Sequence, residues 1–483
     1  MSTLFLQSPN RSTAWVKRCL WPCAFVLTGM LLFMWQVPGT IGARYSLLAV
    51  LLPVSLTLCF CCRPGNSRQL RSLMPLIWLM LPTVWIALVI ALWGVEPSLS
   101  WKEFRGQWLT ALGAGLVGAC LARAALAESR QRSLTLVTVV FWALLAQILL
   151  HDALDIWYWL SMGQIPFRQA PVLYLSEIFH ALSEGRSIAD GFTGQSGDKF
   201  SYVNNTLAAL VVAELVQRIV LKKRWLLIGW PVLLLSLVAV LGCTYLLQFR
   251  NGNVGLLLLI GFATFMVLVR KARQWPLWRL ASIAGLVVVL LAAFGGALYK
   301  ADARWQTLAE TAPIAWDTKT HQAWRRVAPY PLLPNGQEVD ASNYERLAWA
   351  KEGSLLILEH PMGTGYNRNA FGDGIDRKYE MNGVYRGGHS HSGLVDFAIA
   401  NGIPGLLLWL SFLGALFYTG WVAFMQGQIA PGLTLMFIVS GFLSRSVVDS
   451  NIRDHMLQQF MFLAMLFAFA LPPSGKEESV LDD

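Results

Sequence analysis

Runs of apolar residues long enough to cross a bilayer recur from one end of this chain to the other. A hydrocarbon core of about 30 Å takes roughly 20 residues of helix to span. Helices suit that environment because every backbone polar group is satisfied within the segment. Such runs lie at about 19–37, 44–62, 73–93, 107–122, 134–150, 203–221, 225–247, 252–269, 280–299, 393–424, 430–445 and 456–472. The composition agrees, with 55% hydrophobic and only 14% charged residues. The spacing therefore predicts an all-α polytopic membrane protein of about twelve transmembrane helices. The first run lacks a small-residue cleavage site and reads as a span, not a signal peptide.

The net charge of +10 raises the question of a nucleic-acid partner, and its distribution argues against one. Basic residues gather in short turns: Arg63, Arg68 and Arg71; Arg123, Arg130 and Arg132; Arg218, Lys222, Lys223 and Arg224; Arg270, Lys271, Arg273 and Arg279. These turns alternate along the chain, as cytoplasmic loops do. With Lys17 and Arg18 holding the amino terminus inside, an even number of spans returns the tail 473–483 to the cytoplasm. The organisation expected is helices one to nine over 1–299, including an outer loop at about 151–202. A large outer loop at 300–390 follows, then helices ten to twelve over 391–472. The first loop is expected to be partly helical, and in it Trp157, Tyr158 and Trp159 suit the membrane interface. The second holds eleven Lys/Arg and eleven Asp/Glu, a charge-balanced insert. A loop of that length is unusual unless it is functional. All seven cysteines lie in or beside apolar spans, so neither a disulfide framework nor a cysteine-based metal site is expected.

Within the large loop, Asn343 to Leu358 reads as an amphipathic helix, with Leu347, Ala350, Ser354 and Leu358 at helical spacing and Asn343 as its cap. The segment His360-Pro361-Met362-Gly363-Thr364-Gly365 then enforces an extended, turning path. At the re-entry point His391-Ser392 is followed, nine residues later, by Gly402-Ile403-Pro404-Gly405. Ser392 is placed to cap the next helix, and Gly402 with Gly405 to break or thin it so that a backbone or lipid can approach. A histidine there suits proton transfer near neutral pH; the plainer reading is an interfacial hydrogen-bonding group. The pair His389 and His391 would need His360, Asp373 or Asp376 to complete a metal site, with no recognisable spacing. No metal is therefore predicted. Arg250 sits in the short outer turn Gln248–Asn253, where it can grip a phosphate or simply anchor a helix end. Arg346 lies on the amphipathic helix, with Glu345 or Glu352 as ordinary partners. Arg105, Arg186, Arg304, Arg368, Arg386, Arg445 and Arg453 are weaker candidates on the same side. Nothing resembles a nucleotide-binding loop or a Ser–His–Asp arrangement.

Together these pieces resemble the bacterial lipopolysaccharide O-antigen ligase family, within the ligase and polymerase superfamily. That family carries His-(Asn/Ser/Gln)-X9-Gly-X-X-Gly, and His391, Ser392, Gly402 and Gly405 match it; starting from His389 would put Ala400 at the first glycine. Arg346, Trp349, His360-Pro361, Gly363 and Gly365 echo the superfamily, as does Arg250 after the seventh span. The chain departs from the pattern at Leu406-Leu407, at Phe249 before Arg250, and at Lys199 to Asn205. The resemblance implies an architecture similar to the GT-C-like glycosyltransferases, in the bacterial inner membrane with the active site facing the periplasm. It implies an inverting transfer of a glycan from undecaprenyl diphosphate to a sugar hydroxyl of the lipid A–core. His391 would act as base, while Arg250 and Arg346 would hold the diphosphate. Ser392, Gly402, Gly405, Pro361, Gly363 and Gly365 would serve as structural motif residues. An arginine clamp replaces a divalent ion, so neither metal nor cofactor is implied; the partners are the two glycolipids and the surrounding membrane lipids.

Two rival readings stand beside this one. A polymerase of the same superfamily uses the same donor but extends another lipid-linked glycan, and a protein O-glycosyltransferase is a third relative. A lipid-linked glycan flippase or other transporter belongs to a different class. Transporters often place ionisable residues near the bilayer midplane and divide into equivalent halves. Here charges such as Glu214 and Arg218 lie at span ends, and the largest loop falls between spans nine and ten.

Overall fold

A computed structural model describes residues 11–37, 39–62, 74–162, 171–173, 192–194, 197–247, 250–301, 303–385, 388–453 and 455–471. The membrane helices are α1 (Arg11–Met34), α2 (Ile41–Cys61), α3 (Met74–Trp93), α4 (Pro97–Glu103) leading through a π-helical turn into α5 (Leu109–Glu128), and α6 (Arg130–Met162). After a two-stranded antiparallel ribbon, β1 (Pro171–Leu173) with β2 (Phe192–Gly194), come α7 (Gly197–Leu221), α8 (Trp230–Leu247), α9 (Arg250–Lys271) and α10 (Leu277–Ala301). The large loop carries α11 (Ala303–Gln306), α12 (Leu308–Trp316), α13 (Ala341–Glu359) and α14 (Ala370–Lys378). Helices α15 (Gly393–Met425), α16 (Ile429–Val448) and α17 (His455–Phe469) complete the chain.

Among the described residues ten helices are long and apolar enough to cross a membrane, and two shorter apolar helices, α8 and α17, occupy the remaining predicted spans. The chain is thus a polytopic helical membrane protein. α17 manages with fifteen residues, about 22 Å of helix, because every residue from Met456 to Ala470 is buried. It lies directly on α5: a Cβ on Gly118 would sit 2.3 Å from the Phe462 carbonyl oxygen. α6 continues helically to Met162, into the segment 151–202. The side chains of Trp157, Tyr158 and Trp159 lie outside the described residues.

The joint that positions the site is a break inside α15. Gly402 has φ +74° and ψ 175°, so the helix stops and restarts there. Pro404 lacks the N–H that would return to Ala400, and the break frees neighbouring carbonyls as well. The segment predicted to turn fills these vacancies: Thr364 N–H donates to Ile399 O at 3.0 Å, Gly365 N–H to Ala400 O at 3.0 Å, and Ile403 N–H to Pro361 O at 2.9 Å. The Trp85 indole of α3 donates to Asn401 O at 2.7 Å. Such close packing leaves no room for side chains. A Cβ on Gly402 would lie 2.4 Å from Met362 C, one on Gly363 2.6 Å from Ala400 O, and one on Gly405 2.9 Å from Trp85 Cδ1. Gly363 and Gly365 also have positive φ, +94° and +107°. The two glycine motifs are two sides of one joint.

Above it the large loop builds its own apolar core from Trp324, Tyr344, Trp349, Leu356, Phe371 and Tyr385, and shares that core with Ile399 and Ala400 of α15. α13 is capped by Asp340, whose side chain accepts from Asn343 N–H at 2.9 Å. The sequence reading gave that role to Asn343; its side chain instead ties α13 to the Arg304 carbonyl at 2.7 Å.

Replacing Gly402 by Ala forces a Cβ into backbone atoms at a positive φ. A destabilisation of at least about 2 kcal/mol is expected, read as a lowered melting temperature in detergent. Gly441→Ala, where nothing lies within 4 Å of the added carbon, serves as control. Equal melting of the two variants would contradict the joint.

Candidate functional site

α13 brings the loop onto the membrane helices. A Cβ on Gly353 would lie 2.3 Å from Val395 Cγ1, so α13 rests directly on the start of α15. Arg346 and Trp349, one turn apart on α13, share a face. The Trp349 ring stacks on His391, 5.3 Å between centroids and 7° between planes.

His391 has φ +57°, an uncommon backbone state that the surrounding structure must impose. Several bonds impose it. Ser392 caps α15 as its spacing predicted, accepting from Val395 N–H at 3.4 Å, and its hydroxyl donates to Ser446 O at 3.2 Å. Gly393 N–H donates to Asp449 O at 2.8 Å. Ser390 Oγ donates to Ser392 O at 3.0 Å, and Ser390 N–H donates to Asp396 Oδ1 at 2.9 Å. The His391 ring itself makes no hydrogen bond among the described residues.

His389, which the motif register passes over, is anchored more deeply. Its ring lies 4.1 Å from that of His391, and its Nδ1 accepts from the His391 backbone N–H at 3.2 Å. That leaves the proton of a neutral His389 on Nε2. Ser450 Oγ lies 3.1 Å from the same Nδ1 and donates to the buried Asp396 carboxylate at 2.5 Å. The buried Asp396 carboxylate thus holds this segment through Ser390 N–H and the Ser450 hydroxyl, with the Ser450 oxygen against the His389 ring. Below it a cavity of about 20 Å³, lined by Asp396, Asn401, Tyr366 and Arg453, has room for roughly one water.

The charge around the histidines is mostly positive. Burial first, then Arg346 and Arg453, push His391 down to about 4 against the opposing pull of Asp449. Burial, His391 and Arg453 push His389 down to about 3, with Arg346 adding to the effect. Both rings are therefore neutral near pH 7, and a neutral imidazole can accept a proton. Arg346 is half-buried and makes no hydrogen bond or ion pair among the described residues. It responds to Asp449, Arg304 and Asp340, and burial lowers its affinity for its proton. The pairing expected with Glu345 does not form, because Glu345 accepts from Tyr330 at 2.7 Å. A guanidinium left without a partner in a half-buried position is ready for an anion from outside the protein.

Arg250 begins α9, and its side chain lies outside the described residues. Its helical turn is nonetheless placed: Asn205 donates to Gly252 O at 3.2 Å, and Gly252 packs on Ser201. Ser201 Oγ in turn accepts from Arg445 at 2.9 Å, and Arg445 pairs with Asp449 at 2.8 Å. One chain of contacts thus links the start of α9 to the His391 neighbourhood. Arg445 and Arg453, ranked low from sequence, belong to this cluster, together with Asp396, Asp449 and Ser450, which sequence reasoning missed. Asp396 was the available signal, as a carboxylate inside an apolar helix. Arg368 lines the cavity beside Asp396 and Arg453 and pairs with Glu103 at 2.5 Å. Of the residues weighed as partners for His389 and His391, Asp373 accepts from Asn367, and Asp376 from Gly383.

Residues 233–410 match the family described as O-antigen ligase, which supports the resemblance carried by the motifs. The match includes Arg250, Arg346, His391, Gly402 and Gly405; Arg445, Asp449, Ser450 and Arg453 lie beyond it. No curated protein matches the chain.

Removing the Arg346 charge removes one cause of the depressed His391 titration while leaving burial in place. In Arg346→Gln the imidazole resonances of His391 are expected to titrate at higher pH than in the parent. An unchanged midpoint would show that the guanidinium does not reach the ring electrostatically.

Proposed function

We propose that this chain, whose segment 233–410 supports its place in the O-antigen ligase and polymerase superfamily, is a ligase acting at the periplasmic face of the bacterial inner membrane. It transfers a glycan from undecaprenyl diphosphate to a sugar hydroxyl of the lipid A–core. The observation that carries this reading is a neutral, stacked His391 next to the unpartnered Arg346.

Transfer requires that the acceptor hydroxyl lose its proton as its oxygen attacks the anomeric carbon, while the bond to the diphosphate breaks. His391 takes the proton. The leaving diphosphate keeps the electron pair, and its negative charge develops beside Arg346, with Arg250 as second clamp. Attack opposite the leaving group inverts the anomeric centre. Donor binding has a second consequence. A diphosphate near Arg346 and Arg453 offsets the positive field that depresses His391, so the imidazole becomes a stronger base once the donor is in place. The cation cluster does the work that a divalent ion does in other phosphate chemistry, so the reaction needs no added metal. A superfamily polymerase is the runner-up, because the same donor chemistry serves it and only the acceptor differs.

The test is transfer by the purified protein from undecaprenyl diphosphate-linked glycan to lipid A–core in detergent. His391→Ala should lower kcat by about 10²- to 10⁴-fold, the ordinary contribution of a general base, with little change in the KM for donor. Arg346→Lys keeps the charge but loses the fork, and should fall between parent and Arg346→Ala. Transfer only to a second lipid-linked glycan would establish the polymerase reading; loss on chelation with recovery by one divalent ion would overturn the arginine clamp.

The acid limb of kcat/KM, which reports the free enzyme, should stay flat below pH 6 and drop only near pH 4. The acid limb of kcat should lie at higher pH, because bound donor raises the His391 midpoint. Coincident limbs near pH 6.5 would contradict both the depressed histidine and its coupling to donor.

A further inference from the structure

A second cluster of reactive side chains lies away from this site, where α6 meets α8. His151, Asp152 and Cys243 are all buried, and one ligand atom from each lies within 4.8 Å of the others. The His151 Nδ1 to Asp152 Oδ1 distance is 3.7 Å. Donors on a tetrahedral zinc ion, with bonds of about 2.0–2.3 Å, stand roughly 3.4 Å apart, so small side-chain adjustments would bring the three to ligating distance.

The three side chains meet one another at the Asp152 carboxylate, which both His151 and Cys243 approach. Asp152 is 8% exposed, and its Oδ1 makes no hydrogen bond among the described residues. A carboxylate buried at the end of a membrane span is costly unless its charge is matched. The Phe200 ring of α7 covers His151 at 4.2 Å. Asn204 of α7 grips α8 on both sides of Cys243, donating to Val240 O and Thr244 Oγ1, while its own Oδ1 is buried without a hydrogen bond. Gly242 lies beside the carboxylate, where a Cβ would stand in van der Waals contact 3.7 Å from Asp152 Oδ2.

We propose that His151, Asp152 and Cys243 form a binding site for a divalent cation of borderline softness, zinc above all, which ties α6 to α8. The donor set of one imidazole, one carboxylate and one thiolate suits zinc. Charge supports the same ion: a neutral imidazole with two anionic ligands cancels a divalent cation, leaving no net charge in the apolar surroundings. Binding displaces the Cys243 thiol proton to solvent, with no change of oxidation state. Three protein ligands leave a fourth position for water. The role is structural, because the His391 site is built from α13, α15 and the turn 449–453 and uses none of these residues. The sequence reading set aside cysteine-based metal sites, and this cluster departs from it: the three ligands come from segments some ninety residues apart, beyond the reach of spacing rules.

The test uses the full chain purified in detergent and loaded with Co²⁺ in place of zinc. A thiolate-to-cobalt charge-transfer band in the near ultraviolet is expected, saturating at one equivalent and displaced by Zn²⁺. Cys243→Ser should abolish the band, and Zn²⁺ should protect Cys243 from maleimide labelling in the parent. Where Cys243→Ser fails to fold, Asp152→Asn and His151→Gln, which keep the thiol, should weaken Co²⁺ binding. Absence of the band in folded parent protein, or an undiminished band in folded Cys243→Ser, would overturn the site. Because glycan transfer is not the readout, failure here leaves the ligase reading untouched, and failure of that reading leaves the metal site untouched.

Discussion

Everything at the candidate site depends on how α15 recovers the hydrogen bonds it loses at Gly402. A membrane helix cannot leave carbonyls open to hydrocarbon, so a break inside one survives only where another segment takes them. Here residues 361–365 and the Trp85 indole do so. That exchange fixes the large loop against the bundle at one point, and α13 comes to rest on the first turns of α15. Arg346 and Trp349 then lie over His391. The His–Gly motif is therefore two things at once: a reactive group at one end of a short helical segment, and the joint that orients that segment at the other.

Electrostatics gives the site its character. Arg346 and Arg453, opposed by Asp449, act on two half-buried histidines, and their positive field with burial keeps both rings neutral. A site of this kind favours an anionic ligand and a proton acceptor together. Asp396 accepts from Ser390 N–H and from the Ser450 hydroxyl, which fixes the segment that carries both rings. A strained φ at His391 is tolerated because neighbouring bonds to α15 and α16 over-determine it.

Local signals in the sequence were legible where the physics is local. Apolar runs located the ten helices long enough to cross a membrane and the two shorter apolar ones among the described residues, and Ser392 was recognisable as a cap. Contacts between distant segments were not legible. Nothing in the spacing of Pro361, Gly363 and Gly365 says that they close the break at Gly402, and nothing near Arg445 or Arg453 says that both sit by His391. Local rules also misled where tertiary partners intervened: Asp340 took the cap from Asn343, and Tyr330 took Glu345 from Arg346. The brevity of α8 and α17 could not be read from hydropathy, because apolar residues precede the start of α8 at Trp230 and follow the end of α17 at Phe469.

The central claim is that His391 serves the joining of a lipid-linked glycan to the lipopolysaccharide core. Its most direct test is the lipopolysaccharide banding pattern of a strain lacking this gene, complemented with the parent or with His391→Ala at equal membrane abundance. The account predicts a full ladder with the parent, and bare core with accumulated lipid-linked polymer for the variant. A core bearing a single repeat unit would identify a polymerase instead, and a normal ladder from the variant would contradict the role given to His391.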